Sequence, residues 1–244
     1  MKDRTTMMFF IKQFSLKAII SLAIFLQIIV FQTAIAEDKY PVKIKPDLPF
    51  ITVYHQGQKV ILKRIQDTNH RLVDDLTRTS RPCPPFCLWP MFIEPGIYPV
   101  GELEVIDFLE NQVKSGKGFL VDARLPSFYK TETIPGSVNI PWVLFTNEKK
   151  KEAVFKLLGV KKQADGSFDF KNALELCLFC SGPSCGQSPR AIKALFKAGY
   201  PASKLKYYRG GLQIWKLFGF ITIVSEANIV NENTGENTGK EVKK

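Results

Sequence analysis

The chain has 244 residues and a formal net charge of +11 at pH 7. This length suits one ordinary domain with additions and is short for two full domains. The excess lysines are scattered and are not interleaved with aromatic residues, so the composition argues against a nucleic-acid-binding protein. Because there are only two histidines, both far from the main cysteine cluster, a Cys/His metal site is not expected, and no organic cofactor is required.

The first 36 residues have the layout of a secretory signal peptide. Basic residues precede an apolar run over 18–31, and Ala34-Ile35-Ala36 supplies the small residues at which a signal peptidase cuts. We expect cleavage after Ala36 and export to the bacterial periplasm; the alternative is an uncleaved membrane anchor. No later stretch is long and apolar enough to cross a bilayer, so no stable membrane span is expected after cleavage.

Residues 37–97 are predicted to form a small extension ahead of the main domain. Two β-rich runs, 50–55 and 59–65, are separated by Gln-Gly-Gln, which is typical of a β-hairpin. We expect the two histidines, His55 and His70, to lie at the surface.

A proline-rich connector, 81–90, ends this extension. Its prolines forbid regular structure, so we expect it to be laid over the main domain as an extended segment. Cys83 and Cys87 flank Pro-Pro-Phe within it. A local disulfide between them is the simpler interpretation, and a redox relay toward the main domain is the alternative.

Residues 98–224 alternate between helical and strand patterns. Helices are predicted over 102–113, 148–158 and 189–197 and after Gly211. Strands are predicted over 118–124, 174–179 and 205–208, with a further short strand within 134–141 and a turn over 164–170. This alternation indicates an α/β fold with a mostly parallel, doubly wound sheet, in which ligands bind at the carboxyl ends of the strands. The polar tail, 225–244, repeats Glu-Asn-Thr-Gly and is expected to be disordered.

The segment 176–190 contains the candidate nucleophile of the chain. An apolar run ends at Cys180, a loop of small residues follows, and a helix is predicted to start at Pro189. A helix N-terminus gathers backbone N–H groups and a positive dipole end, which favour the thiolate form of a cysteine placed there. We therefore predict that Cys180 is a nucleophile. The residues predicted to bind an anion around it are Ser181, Gly182, Ser184, Gly186, Gln187, Ser188 and Arg190.

The five cysteines leave more than one possibility for this loop. Because the number is odd, at least one cysteine is unpaired within a monomer. Cys185 is either a thiol that resolves an intermediate on Cys180 or its partner in a permanent disulfide. Cys177 lies inside the predicted strand and is interpreted as part of the core.

Four separated segments resemble the rhodanese family of sulfurtransferases. They are residues 119–124, 134–141, the loop from Cys180 to Arg190, and 208–219. The resemblance implies an α/β fold with a central parallel sheet and a persulfide intermediate on a cysteine directly after a strand, the position of Cys180. It also implies that Asp122 and Arg124 brace the loop through an ion pair.

The chain departs from the family pattern at three points. Thr133 stands where the family usually has histidine, and the distance from Cys180 to Arg190 exceeds the usual six residues. The loop also contains Cys185, which is similar to an exported subset of the family with two cysteines there. The longer loop prevents a direct transfer of the family's donor and acceptor to this chain.

These observations predict an exported sulfurtransferase. It would move a sulfane sulfur from a thiosulfate-like donor to a thiophilic acceptor through a persulfide on Cys180. Its partners would be a small sulfur-containing anion or thiol, or a periplasmic thiol protein. Two alternatives remain: a thiol–disulfide redox protein that cycles Cys180 and Cys185, and a non-catalytic binding module with the rhodanese fold.

Overall fold

The computed structural model describes residues 39–73 and 75–225. The helices and strands of these described residues belong to the compact unit that begins at Val42. The predicted signal peptide, and the predicted tail beyond Ser225, lie outside the described residues. No described helix combines the length and hydropathy that a membrane span requires.

The elements follow one another in a mostly alternating order. The strands are β1 Phe50–His55, β2 Gln58–Lys63, β3 Tyr98–Pro99, β4 Gly118–Asp122, β5 Ser137–Asn139, β6 Lys161–Lys162, β7 Phe168–Asp169, β8 Glu175–Phe179 and β9 Leu205–Tyr208. The α-helices are α1 Glu102–Phe108, α2 Pro126–Thr131, α3 Trp142–Thr146, α4 Glu148–Leu157, α5 Gln187–Lys197 and α6 Gly211–Leu217. A π-helical turn, Leu109–Val113, extends α1, and 3-10 turns cover Asp75–Thr77 and Ala202–Lys204.

A five-stranded parallel sheet organises the domain. Its strand order is β3-β9-β8-β4-β5, so β8 lies at the centre between β9 and β4. The last four residues of β8 are all buried, as expected for a strand covered on both faces, whose sequence is a continuous apolar run. The predicted α/β fold with a central parallel sheet is confirmed.

Successive residues of β8 point into two separate cores. Leu176 and Leu178 pack with Ile192 of α5 on one face of the sheet. Cys177 and Phe179 pack on the other face, in a core that α1, α6 and the hairpin also line. This division follows from the two-residue period of a strand. Cys177 is fully buried in its core, as predicted.

The predicted hairpin is confirmed and is part of the second core. Strands β1 and β2 pair antiparallel, and Ile51 and Val53 are buried there. His55 shares their face of β1 and is only 3% exposed, so its predicted surface position is wrong. Its Nδ1 accepts a hydrogen bond from the Gly136 N–H at 3.2 Å. His70 is exposed, as expected.

Three local differences separate the structure from the sequence pattern. Helices α2 and α3 were not predicted, and the expected turn at 164–170 lies within a small hairpin formed by β6 and β7. Helix α5 begins at Gln187, two residues before the predicted start at Pro189. Proline is accepted within the first turn of a helix, so Pro189 does not mark the first residue.

Candidate active site

The cysteine loop, residues 180–186, connects β8 to α5 at the carboxyl edge of the sheet. Cys180 follows the last residue of β8, and Gly186 is the N-cap of α5. Because α5 begins earlier than predicted, Cys185 lies immediately before the N-cap. The loop therefore places two thiols near one helix N-terminus.

Cys180 is the buried thiol of the pair. Its residue is only 2% exposed. Its S–H donates to the Cys185 carbonyl at 3.2 Å, and its sulfur accepts a hydrogen bond from the Ser188 hydroxyl at 3.1 Å. Burial, followed by the hydrogen bond with Cys185, raises the pKa of the Cys180 thiol well above its usual value. Burial therefore works against the thiolate form of Cys180 that the loop is expected to favour.

Cys185 has the opposite character and is partly exposed. A hydrogen bond from Cys180 lowers the pKa of the Cys185 thiol to about 7, against the effect of burial. The backbone N–H groups of Gln187 and Ser181 and the charge of Arg124 lower it further. These groups favour the thiolate form of Cys185, which is the nucleophilic form of cysteine.

The predicted anion-binding residues divide into two groups. The Ser188 hydroxyl donates to the Cys180 sulfur. The backbone N–H of Ser188 acts to lower the pKa of Cys180, and those of Ser181 and Gln187 act to lower the pKa of Cys185. We call these donors the thiol cradle. Gly182 instead closes the loop on itself, because its carbonyl accepts the Cys185 N–H at 2.9 Å.

The other three predicted residues do not donate to the sulfur atoms. Ser184 is partly buried within the loop, and Gly186 lies beneath an aromatic ring. Arg190 is exposed, with its guanidinium 5.1 Å from the centre of the Trp142 ring. The structure thus places Arg190 on an outer face of α5, next to an aromatic ring.

Backbone hydrogen bonds from the start of α6 hold the first two residues of the loop. The N–H of Leu212 donates to the Cys180 carbonyl at 3.1 Å, and the N–H of Gln213 donates to the Ser181 carbonyl at 2.9 Å. Gly211 has a φ of +55°, and a Cβ atom there would lie 2.2 Å from the Cys180 carbonyl oxygen. Only glycine combines this conformation with such a close approach.

The proline-rich connector covers the end of the loop. The N–H of Trp89 donates to the Pro183 carbonyl at 2.9 Å, and its indole lies against Gly186. Arg209 fixes the connector by donating to the Trp89 carbonyl at 2.8 Å. Cys83 and Cys87 form a disulfide within the same connector. The disulfide and the cysteine loop are thus joined through the short segment that contains Trp89.

A buried polar cluster lies at the end of the neighbouring strand β4. Arg124 donates to both carboxylate oxygens of Asp122, with 2.7 Å between Nη2 and Oδ2. Its Nη2 also donates to the Glu132 carbonyl at 2.6 Å. The ion pair that the resemblance implies is present. Its hydrogen bonds join Arg124 to Asp122 and to the Glu132 carbonyl and do not reach the cysteine loop. Arg124 affects the cysteine loop through its charge.

Thr133 completes this cluster where the family usually has histidine. Its hydroxyl donates to Asp122 Oδ2 at 2.8 Å and is also 2.8 Å from the Ser137 hydroxyl. Asn139 donates to the carbonyls of Asp122 and Arg124 at 2.9 and 2.8 Å. Threonine therefore supplies a neutral donor to the carboxylate without adding a titratable group.

Two residues near the loop were not identified from the sequence. Trp89 lies against it, and Tyr207 lies beside Leu178 in the sheet register. The Tyr207 hydroxyl is buried without a hydrogen-bond partner among the described residues. Burial, and to a lesser extent Cys180, raises the pKa of Tyr207. The position of Trp89 in a proline-rich segment only weakly indicated contact with the loop. Nothing in the Tyr207-Tyr208 sequence indicated that Tyr207 lies near it.

Comparison with known proteins gives a family assignment. The sequence model of the rhodanese-like domain matches residues 105–217. No curated protein sequence matches the chain. Within residues 39–73 and 75–225, no group of three or more His, Cys, Asp or Glu side chains is arranged to hold a metal ion.

Several solved structures align with about half of this chain. A thiosulfate sulfurtransferase from Pseudomonas aeruginosa is 19% identical, with a TM-score of 0.40, over 54% of this chain and 21% of that one. A human single-domain sulfurtransferase is 24% identical, with a TM-score of 0.35, over 49% and 95%. A Saccharomyces cerevisiae single-domain sulfurtransferase is 20% identical, with a TM-score of 0.35, over 50% and 91%.

The assignment rests on the family match. This chain spans about a fifth of the length of the Pseudomonas protein. The matched residues include four of the five strands of the central sheet, the cysteine loop and α6. By that match, residues 105–217 of this chain are a rhodanese-like domain.

Proposed function

We propose that this protein is a sulfurtransferase that takes a sulfane sulfur from a small anionic donor of the thiosulfate type. It holds that sulfur as a persulfide on Cys180 and passes it to a thiophilic acceptor. The observation that carries the proposal is the thiol cradle, in which backbone N–H groups and a serine hydroxyl surround two free thiols. The rhodanese-like domain supports sulfur transfer as the class of reaction.

The arrangement around the loop suits an anionic sulfur donor. Backbone N–H groups at the start of an 11-residue helix stabilise negative charge on a bound anion or on a sulfur atom. Arg124 adds a positive charge that acts on Cys185, and its own guanidinium is held by Asp122. Such fixed donors stabilise developing charge without reorganising during the reaction.

The direct test is intact-mass analysis of the reduced protein before and after incubation with thiosulfate. We expect the mass to increase by one sulfur atom, with one sulfite released per sulfur gained and thiocyanate formed on addition of cyanide. The Cys177→Ala variant is the matched control, because Cys177 is a free cysteine outside the loop, and it should gain sulfur like the unaltered chain. A protein that gains no sulfur and releases no sulfite would refute the proposal.

A thiol–disulfide redox protein is the second candidate. It is favoured by the position of Cys180 and Cys185 in one short loop, where the Cys180 S–H donates to the Cys185 carbonyl and both thiols are free. The measurement that separates the two functions is disulfide mapping after oxidation by a partner disulfide, together with the reduction potential of the pair. A reversible Cys180–Cys185 bridge without sulfur uptake from thiosulfate would favour redox exchange.

Export belongs to the proposal as well. The basic, apolar and small-residue regions of residues 1–36 support secretion and cleavage after Ala36. N-terminal sequencing of protein recovered from the periplasmic fraction tests this. We expect the mature chain to begin at Glu37. Recovery of the intact N-terminus in the membrane fraction would favour the anchor.

A further inference from the structure

We propose that the exposed apolar part of the proline-rich connector is the docking surface for the protein that accepts sulfur from Cys180. This inference rests on the proposed sulfurtransferase function and deepens it by naming the chemistry of the acceptor. The acceptor is a thiol protein whose contact surface is apolar at its centre and acidic at its border. We call residues 82–92 the apolar segment.

The apolar segment exposes several large apolar side chains close together in the chain. Its sequence contains no charged side chain and no hydroxyl, amide or imidazole group. Leu88 is 75% exposed and Phe92 is 66% exposed, and Phe86 and Met91 are exposed as well. Single exposed apolar residues are ordinary, whereas a concentration of them marks a surface that another molecule covers. The segment therefore has the character of an interaction surface.

The apolar segment is held in place along its length. A disulfide joins Cys83 to Cys87 near its start. Its middle is fixed because Arg209 Nε donates to the Trp89 carbonyl at 2.8 Å. Its end leads into Ile93, which is buried in the core between α5 and the sheet. A surface fixed at three points loses little conformational entropy when a partner binds to it.

The same segment touches the cysteine loop. The N–H of Trp89 donates to the Pro183 carbonyl at 2.9 Å, and the indole lies against Gly186. Gly186 directly follows Cys185. A protein that covers Leu88, the neighbour of Trp89, is therefore placed beside the cysteine loop. A lipid surface carries no thiol to receive sulfur, so this position favours a thiol protein as the occupant.

Basic side chains border the apolar segment and define the charge of the partner. The guanidinium of Arg81 lies 4.8 Å from the centre of the Phe86 ring, and Lys193 Nζ lies 5.8 Å from the centre of the Trp89 ring. Glu94, two residues beyond the segment, is the nearest acidic residue along the chain. Opposite charges at the border of an interface steer the encounter and disfavour wrong partners. The complementary surface is therefore acidic around an apolar centre.

Docking brings the thiolate of the partner to the persulfide on Cys180. The thiolate forms a bond to the outer sulfur, and the bond between that sulfur and Cys180 breaks. The electron pair of this bond stays on Cys180 and the proton stays on the outer sulfur, so one negative charge is present before and after the step. No oxidant or reductant is consumed. Docking contributes affinity for the acceptor, which changes KM and leaves kcat unaltered.

Two cysteine peptides of equal length serve as probes of the partner surface. One carries leucine and glutamate and the other carries serine and lysine, with the charges placed far from the cysteine so that the two thiols have the same pKa. With the persulfide form of the full chain, we expect the acidic apolar peptide to accept sulfur with a KM at least about tenfold lower. The difference should shrink as the salt concentration rises. Equal KM values would overturn the proposal.

Two variants remove apolar surface from the segment. Leu88→Ser and Phe92→Ser change side chains that are mostly exposed. Each should raise the KM of the acidic apolar peptide about tenfold, whereas kcat and transfer to 2-mercaptoethanol should stay within about twofold of the unaltered protein. Leu217→Ser is the matched control, because Leu217 is 63% exposed at the end of α6. An equal rise in the control, or no rise in either variant, would contradict the docking surface.

A binding measurement separates this inference from the proposed function. The acidic apolar peptide with serine in place of its cysteine cannot accept sulfur, and tryptophan fluorescence reports its binding because Trp89 lies in the segment. We expect binding to the unaltered protein and to Leu217→Ser, and about tenfold weaker binding to Leu88→Ser. Binding without sulfur transfer to any thiol would refute the sulfurtransferase alone. Transfer to 2-mercaptoethanol without peptide binding would overturn the docking surface alone.

The same variants identify any other occupant of the apolar segment. A dimer in sedimentation experiments that Leu88→Ser dissociates would show that a second copy of this chain covers the segment. Binding to vesicles of phosphatidylglycerol and phosphatidylethanolamine that Leu88→Ser and Phe92→Ser abolish would show a membrane surface instead. Either result would overturn the proposed thiol protein. We expect both the oligomeric state and vesicle binding to be the same in the variants and in the unaltered protein.

Discussion

Two polar clusters lie at the ends of neighbouring strands of the same sheet, and they differ in how their charges are matched. In the cluster after β4, the Asp122 carboxylate meets the Arg124 guanidinium and the Thr133 hydroxyl. The loop after β8 instead holds two free thiols, Cys180 and Cys185, and the Arg124 charge acts on Cys185 through space. In the first cluster the charges meet in direct hydrogen bonds, whereas in the loop a positive charge acts on a thiol from a distance.

The largest loss of stability that we expect comes from removing the counter-charge of Arg124 in the first cluster. Asp122→Ala would leave the Arg124 guanidinium, which is 4% exposed, without its counter-charge, at a cost of about 3–5 kcal/mol in the free energy of unfolding. Urea denaturation at pH 7 measures this. The control is Glu152→Ala, which removes a surface ion pair to Lys162 and should cost less than about 1 kcal/mol. Equal losses in the two variants would remove the contrast between the clusters.

The second prediction concerns the contact between α6 and the loop. Gly211→Ala would place Cβ 2.2 Å from the Cys180 carbonyl oxygen at a φ of +55°. Gly219→Ala is the matched control, because its φ is +71° and a Cβ there meets nothing within 4 Å. We expect Gly211→Ala to lose about 1–3 kcal/mol more than the control in urea denaturation, since the loop must shift. Similar losses would mean that only the backbone conformation matters.

The third prediction compares two neighbouring tyrosines. Tyr208 donates to the Glu102 carboxylate at 2.9 Å, so Tyr208→Phe should lower the free energy of unfolding by about 1–2 kcal/mol. The Tyr207 hydroxyl has no partner among the described residues, so Tyr207→Phe should keep or raise stability. Destabilisation by Tyr207→Phe would indicate a hydrogen bond to the hydroxyl.

The smallest effect is expected from pH at a third buried site. Burial lowers the pKa of His55 below its ordinary 6.5, so the unfolded chain binds this proton more readily than the folded one. The contribution to stability is therefore complete above pH 6.5 and is lost as the pH falls below it. Melting temperatures between pH 8 and pH 5 should decline less steeply in His55→Gln. The exposed control His70→Gln should follow the unaltered protein, and a common slope in all three would contradict the prediction.

The sequence predicts the frame of the site because that frame depends on local patterns. The apolar run of β8 ends at Cys180, small residues form the loop, and an amphipathic helix follows. The same alternation along β1 that buries Ile51 and Val53 also buries His55. That inward position was readable from the strand period, although the residue type favoured the surface.

The properties of the two thiols were not readable in this way. They depend on which groups from distant parts of the chain cover each sulfur. Trp89 and the start of α6 come to the loop from opposite sides in sequence. Helix α5 also begins two residues before its predicted start at Pro189. Its N-terminus therefore lies nearer to Cys185 than the sequence predicts. Exposure and ionisation are tertiary properties, and no local pattern encodes them.

The contact between Trp89 and Gly186 makes the residue types at these two positions depend on each other. A Cβ at position 186 would lie 2.8 Å from an indole carbon, so no larger residue fits there while the tryptophan keeps its place. Trimming the chain to its family-matched portion would remove this aromatic cover from the loop. The segment ahead of the matched domain thus forms part of the surroundings of the two free thiols.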